Sequence, residues 1–335
     1  MARRRRISAQ ERLAAEVVNQ VVVPAVGRML ADRRGRMWLL GILIVFAVVA
    51  GGWWVYQRAR ERGGPTASSF PGATAAATHP QGRVRIATWN LRKFSDRVDH
   101  PPDLVTIARI IQENSFDLLA IQEVQQQGQI VQKLRRQLNE PWRVEITAQT
   151  GNHERYAFLY RSDRVELIEG PRLAEGPDAA VFDRRPANAT FKSGNFDFML
   201  LTAHLWYGEK ANNAKRRAEA EALVRIAAGI AQRGAEKDLI VLGDFNEMHN
   251  GAGNLHLFEE QGWIRLNREA TNLGSSEAFD NMLIDPRFTR EFAGSVGVVR
   301  FDELLYGNDD KRAMEDVSDH RPLWADFSTA GPDDD

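Results

Sequence analysis

The run Asp238-Leu239-Ile240-Val241-Leu242-Gly243-Asp244-Phe245-Asn246 constrains this chain more than any other stretch. Four consecutive apolar residues between a charge and a glycine predict a short strand buried on both faces, which needs packed layers above and below it. Asp244 and Asn246 leave that strand two residues apart, on one side of the chain. A carboxylate beside a neutral carboxamide suits a metal-bound water or a phosphate oxygen. The alternative is an Asx turn that closes the strand.

The neighbouring segments supply the layers. Val84–Trp89, Asp117–Gln122, Tyr156–Tyr160, Ala187–Lys192, Phe196–His204, Phe279–Ile284 and Leu323–Phe327 read as strands. Pro102–Glu113, Gln127–Leu138 and the Ala-rich Ala211–Gln232 read as helices. Strands and helices interleave without strict alternation, so the expectation is a mixed-sheet α/β domain with helices covering the sheet faces. It spans residues 83–328, followed by an acidic tail over 329–335.

The first 82 residues have a different character. Trp38–Tyr56 contains no charged residue, and its 19 residues would span about 28 Å as a helix, close to the thickness of a bilayer core. Trp38 at one end and Trp53, Trp54 and Tyr56 at the other suit the membrane interfaces. A cleaved signal peptide is the rival reading, and the 37 preceding residues argue against it. The expectation is therefore one N-terminal transmembrane helix over 38–56, after a basic segment 1–37 that holds Arg3–Arg6 and a capped amphipathic helix. The arginine bias puts the N-terminus in the cytoplasm and the catalytic domain on the periplasmic or extracellular side. Residues 57–82, rich in Gly, Ala, Ser and Pro, read as a flexible linker.

Charge narrows the partners. The chain has 44 basic and 45 acidic residues, of which residues 1–62 hold twelve Arg and four acids. That leaves 32 basic against 41 acidic residues in the remainder, a net charge of about −9. Such a domain is a poor match to a tight, salt-dependent nucleic-acid binder. It still permits an enzyme that meets phosphates through a divalent cation. The absence of cysteine excludes disulfides, thiolate metal sites and thiol nucleophiles.

Several predicted strands end in residues suited to phosphodiester cleavage: Trp89-Asn90, Gln122-Glu123, Ala203-His204, Gly243-Asp244-Phe245-Asn246, Phe279-Asp280 and Ser318-Asp319-His320. Glu123 is a hard oxygen ligand for Mg²⁺ or Ca²⁺. Singly each is unremarkable, and their joint occurrence beside apolar runs carries the weight.

In these motifs residues 83–328 resemble the endonuclease/exonuclease/phosphatase superfamily, and most closely its deoxyribonuclease I-like branch. The resemblance implies a four-layer α/β sandwich of two packed sheets flanked by helices. It implies two histidine–carboxylate pairs, His204 with Glu154 and His320 with Asp280. It assigns Arg92 and Arg184 to substrate phosphate, and a divalent metal to Glu123, with Asp319 and Asp244 nearby. Mg²⁺ is the expected ion, with Mn²⁺ or Ca²⁺ as alternatives. One histidine then takes a proton from water and the other donates to the leaving oxygen, while Asn90, Asn246 and Arg184 stabilise the charge gathering on phosphorus.

This sequence departs from the branch at three places. Gln125 and Asn152 stand where its nucleases insert an arginine and a tyrosine into the DNA minor groove, and Phe279 replaces a tyrosine. The expected function is a membrane-anchored phosphodiesterase acting on nucleic acid. Alternatives are a sphingomyelinase-like phospholipid phosphodiesterase, a phosphoinositide phosphatase, or a non-catalytic binding domain. Trp206 and Tyr207 either line a substrate pocket or pack, with packing the favoured reading; Arg216 and Arg217 are expected to form a solvated helix face, and Asp309–Arg312 a charged loop.

Overall fold

The computed structural model describes residues 81–331, apart from 97, 140, 209–213, 235, 249–253 and 275. The expected basic segment, transmembrane helix and most of the linker lie outside the described residues. No helix among the described residues is long and apolar enough to cross a membrane.

Two six-stranded mixed sheets form the domain. The first holds β1 (Arg83–Phe94), β2 (Leu118–Gln125), β3 (Trp142–Ile146), β4 (Glu154–Arg161), β11 (Phe292–Val298) and β12 (Leu323–Ser328), in the order β11-β12-β1-β2-β4-β3. The second holds β5 (Glu166–Leu173), β6 (Ala187–Ser193), β7 (Phe196–His204), β8 (Leu239–Asp244), β9 (Ile264–Arg265) and β10 (Asp280–Ile284), in the order β5-β6-β7-β8-β10-β9. At each centre lies one parallel pair, β1 with β2 and β7 with β8, flanked by antiparallel neighbours.

Alternation along these strands sorts the side chains into layers. Val84, Ile86, Leu118 and Ala120 of the first sheet meet Phe198, Leu200, Ile240, Leu242 and Met282 of the second in one buried cluster. The opposite face of the first sheet, with Ala87, Trp89, Leu119 and Ile121, packs on α1 (Leu104–Glu113) and α2 (Gln129–Gln137). Phe301 of α5 (Phe301–Tyr306) and Ala313 of α6 (Asp310–Asp316) join that cluster. The outer face of the second sheet, with Leu201, Val241 and Leu283, packs on α3 (Ala214–Arg233) and on Phe258 of α4 (His256–Glu259). The layering is helix, sheet, sheet, helix. The opening strand is indeed buried on both faces: every residue of β8 is buried.

Two expectations need correction. Arg216 is not on a solvated face; it is fully buried beneath the loop that follows His204, although Arg217 is exposed. Asp309–Arg312 is not a loop, because Asp309 caps α6 by accepting from the Arg312 amide. The short strands β3, β5, β9 and β11 were not anticipated either.

Candidate active site

Topology brings the chemistry to one rim. The parallel pairs end together, so β1 delivers Asn90, β2 delivers Glu123, β7 delivers His204 and β8 delivers Asp244. In register, His204 pairs with Asp244, and Asp244 pairs with Asp280. The loop before β12 adds Asp319 and His320. It is fastened from beneath: the Trp89 indole donates to the His320 carbonyl at 2.7 Å, and the Ser318 hydroxyl donates to the Asn90 carbonyl at 2.6 Å.

Both histidines have a carboxylate behind them. His320 Nδ1 lies 2.7 Å from Asp280 Oδ2, and His204 Nδ1 lies 3.1 Å from Glu154 Oε2. These contacts leave each Nε2 facing a shared centre. Asp244 Oδ2 is 3.4 Å from Nε2 of His204 and 3.8 Å from Nε2 of His320. Glu123 Oε1 is 3.9 Å from His204 Nε2, and Asp319 Oδ1 is 4.0 Å from His320 Nε2. The Asn90 amide bridges two of these acids, donating to Glu123 Oε1 at 3.0 Å and Asp244 Oδ2 at 2.9 Å.

The electrostatics follow from this crowding. Burial disfavours a charged His320, but Asp280 and Asp244 outweigh it and push its pKa up to about 10. His204 is raised too: burial and Arg184 oppose its charge, and Glu154, Asp244 and Glu123 prevail. Burial raises Glu123 and Asp244, yet both end below their ordinary values because the histidines and the Asn90 amide favour the anions. Asp319 is raised by burial, against the pull of His320 and Arg92.

The remaining expected residues divide by role. Arg184 is buried, donating to the carbonyls of His204 at 3.1 Å and Leu205 at 2.7 Å, with its Nη1 3.7 Å from Glu154 Oε1. Asn246 also donates to the Leu205 carbonyl, at 2.9 Å, while its amide N–H donates to Asp244 Oδ1. Both hold the loop after His204 in place. Arg92 stays at the rim, its Nε 3.4 Å from Asp319 Oδ2. Sequence reasoning missed Tyr156, whose hydroxyl accepts from the His204 amide, and Glu219, which is buried and accepts from the amides of Asp183 and Trp206. A glutamate within an Ala-rich helical run gives no hint of that task.

The donor set fits a hard divalent cation. Glu123, Asp244 and Asp319 each bring a carboxylate oxygen within 4.0 Å of a histidine Nε2, and Glu123 and Asp319 are partly open to solvent. No thiolate can compete, since the chain has no cysteine. Asp244, Asp280 and His320 also bring one ligand atom each within 4.8 Å of one another. There the imidazole lies between the acids, Nδ1 towards Asp280 and Nε2 towards Asp244.

The His320 shift has a consequence for stability. A histidine raised in the folded state stabilises the fold fully below its unfolded pKa, near 6.5, and that contribution is lost as pH rises towards about 10. In EDTA, the melting temperature should fall by about 5 °C or more between pH 6.5 and pH 10. His320→Gln should flatten that slope, and parallel curves for the two proteins would refute the assignment.

A centre of this kind, set on the common rim of two packed mixed sheets, is built to hydrolyse phosphate esters. Comparison with known proteins agrees: residues 87–320 match the Endonuclease/Exonuclease/phosphatase family, and the chain belongs to it. Members of this family are hydrolases of phosphoester bonds, and so is this protein. A deoxyribonuclease from Thioalkalivibrio sp. (strain K90mix) is 30% identical over 267 residues, covering 73% of this chain and 71% of its own. Deoxyribonuclease-1 of Equus caballus is 26% identical over 270 residues, covering 72% and 90%. Among solved structures, the humanized D. rerio TDP2 superposes with a TM-score of 0.55 at 14% identity, covering 74% of this chain and all of that one. A family protein from Bacteroides vulgatus gives 0.53 at 20% identity, covering 73% and 98%. These two likenesses establish the fold alone.

Proposed function

We propose that this protein is a divalent-metal-dependent nuclease that hydrolyses phosphodiester bonds of nucleic acid with a pair of histidines. The observation that carries the reading is the opposed pair: two imidazoles, each backed by a carboxylate at Nδ1, present both Nε2 atoms to Asp244. The names of the deoxyribonucleases from Thioalkalivibrio sp. and Equus caballus point to the same substrate class.

His320 serves as the base. It takes a proton from the attacking water as the water oxygen bonds to phosphorus, and Asp280 stabilises the imidazolium. His204, kept protonated by Glu154, gives its proton to the leaving oxygen as the P–O bond breaks. Asn90 fixes Glu123 and Asp244 relative to each other, and Arg92 stands where a phosphate would approach. Glu123, Asp244 and Asp319 would hold a divalent cation, which would supply polarisation of the phosphoryl oxygen and charge neutralisation there. The anions of Asp280, Asp244 and Asp319 make the His320 imidazole a strong proton acceptor.

In the same reading Trp38–Tyr56 anchors the protein in a membrane, with the catalytic domain on the periplasmic or extracellular side. Protease added to intact cells should then degrade the C-terminal domain, and protection of that domain would refute the orientation.

The substrate assay uses the purified full-length chain with plasmid DNA, single-stranded DNA, RNA, sphingomyelin vesicles and inositol phosphates. Each is tested with Mg²⁺, Mn²⁺ or Ca²⁺ and with EDTA. Metal-dependent cleavage of nucleic acid is the expected result. Turnover confined to the lipid or the inositol phosphates would overturn the nuclease reading.

A further inference from the structure

Beside His320 the rim carries an aromatic surface that the reaction does not use. Tyr207 is 55% exposed, and it is the one aromatic among the large apolar side chains exposed in the described residues. Its ring meets Phe279 edge-on at 6.4 Å, and Phe279 lies 5.9 Å from the His320 imidazole. The chain of ring contacts therefore runs from open solvent at Tyr207, through buried Phe279, to the His320 imidazole.

This exposure is built. The Leu205 amide donates to the Asp244 carbonyl, and its own carbonyl accepts from Arg184 and Asn246. The Trp206 amide donates to buried Glu219 at 2.6 Å, and Lys215 sits 3.8 Å above the Trp206 ring. The Gly208 carbonyl accepts from buried Arg216 at 3.4 Å. Residues 205, 206 and 208 are thus pinned from below by α3 and the catalytic strands, and only the Tyr207 side chain is sent outwards. Burying an arginine and a glutamate to hold a loop is costly. Packing alone would have turned the ring inwards, as the sequence led us to expect.

We propose that Tyr207 is a stacking platform for the nucleobase next to the scissile phosphate, and that the substrate is single-stranded or locally unpaired nucleic acid. The proposal rests on the nuclease reading and narrows its substrate. Two physical arguments select the class. The domain is net acidic, so overall charge attraction contributes little to binding and stacking has to carry more of the grip. Stacking on an aromatic face needs no such charge and tolerates any base, but the base must be free of its own duplex stack. Gln125 and Asn152 agree, because the side chains at these positions are neutral amides and offer no cation to a duplex backbone.

The test compares wild type, Tyr207→Ala and Tyr207→Phe as full-length proteins with equal melting curves. The substrates are a single-stranded oligonucleotide, the same sequence as duplex, the same strand with abasic residues flanking the cleaved bond, and sphingomyelin vesicles. Wild type should prefer the single strand. Tyr207→Ala should lose about 10- to 100-fold in kcat/KM on it, mainly through KM. Tyr207→Phe should restore the rate, since the ring and not the hydroxyl does the stacking, and the abasic strand should be cut equally by all three. Wild-type cleavage of single strands with no Tyr207→Ala defect would overturn this inference and leave the nuclease reading standing. So would faster cleavage of the duplex. Cleavage of no nucleic acid at all, or a Tyr207 dependence seen only on vesicles, would overturn both.

Discussion

His320→Gln should lower kcat on a nucleic-acid substrate by about 10²- to 10⁴-fold while leaving the protein folded. Glutamine fills much the same space and can donate to Asp280, so the buried acid keeps a partner, but it cannot take a proton from water. His204→Gln should be comparably severe, since the leaving oxygen would depart unprotonated. Asp280→Asn and Glu154→Gln preserve shape and remove only the charge behind each imidazole. They should act through their histidines: each lowers kcat, and each shifts the pH profile of its own limb. Asp280→Asn removes a principal force holding His320 near a pKa of about 10, so the limb reporting the base should move to lower pH. Because each pair works as a unit, the double variant Asp280→Asn/His320→Gln should be scarcely worse than His320→Gln alone. Near-normal turnover in either histidine variant would sink the two-histidine scheme. Full additivity in the double variant would sink the pairing.

The legibility of this site in the sequence has a structural cause. Trp89-Asn90 and Ser318-Asp319-His320 lie far apart in the chain, yet the Trp89 indole and the Ser318 hydroxyl bond them to each other. Trp89 and Ser318 are thus recognisable in the sequence because they fasten neighbours of Asn90 and His320 together. The strand ends were legible because central strands are buried on both faces and read as apolar runs. Edge strands give a fainter signal. β5 and β11 sit at sheet edges with mostly half-exposed side chains, and each contains glycine. β3 is an edge strand too, with Trp142 alone fully inside. Arg216 was misread for a different reason. Helical periodicity assigns charges to solvent, and no periodic pattern reveals that one arginine must turn inwards to carry a loop on its guanidinium. Arg184 and Asn246 were legible as positions, but their bonds to carbonyls were not, since these belong to a loop whose path only the fold defines.

Gly243→Ala should damage stability and chemistry together. Gly243 lies in β8 opposite Ala203 of β7, one residue before the register pair His204 and Asp244. Its φ is +137°, and a Cβ there would fall 2.0 Å from the Ala203 carbonyl oxygen. That atom is backbone in a central strand, so it cannot swing aside as a side chain would. The strands must part, or β8 must abandon its conformation, and the 3.4 Å approach of Asp244 to His204 is lost in either case. Strain and overpacking of this kind cost about 2 to 6 kcal/mol together. The melting temperature should accordingly fall by about 5 to 20 °C. Gly262→Ala is the control: its φ is +87°, but a Cβ there meets nothing within 4 Å. It should carry the conformational cost without the clash and keep full activity. Well below its melting temperature, Gly243→Ala should still be nearly inactive and bind its divalent cation weakly, because Asp244 serves both the histidines and the proposed cation. A Gly243→Ala protein as active as wild type at that temperature would show that the spacing of these two strands does not set the site.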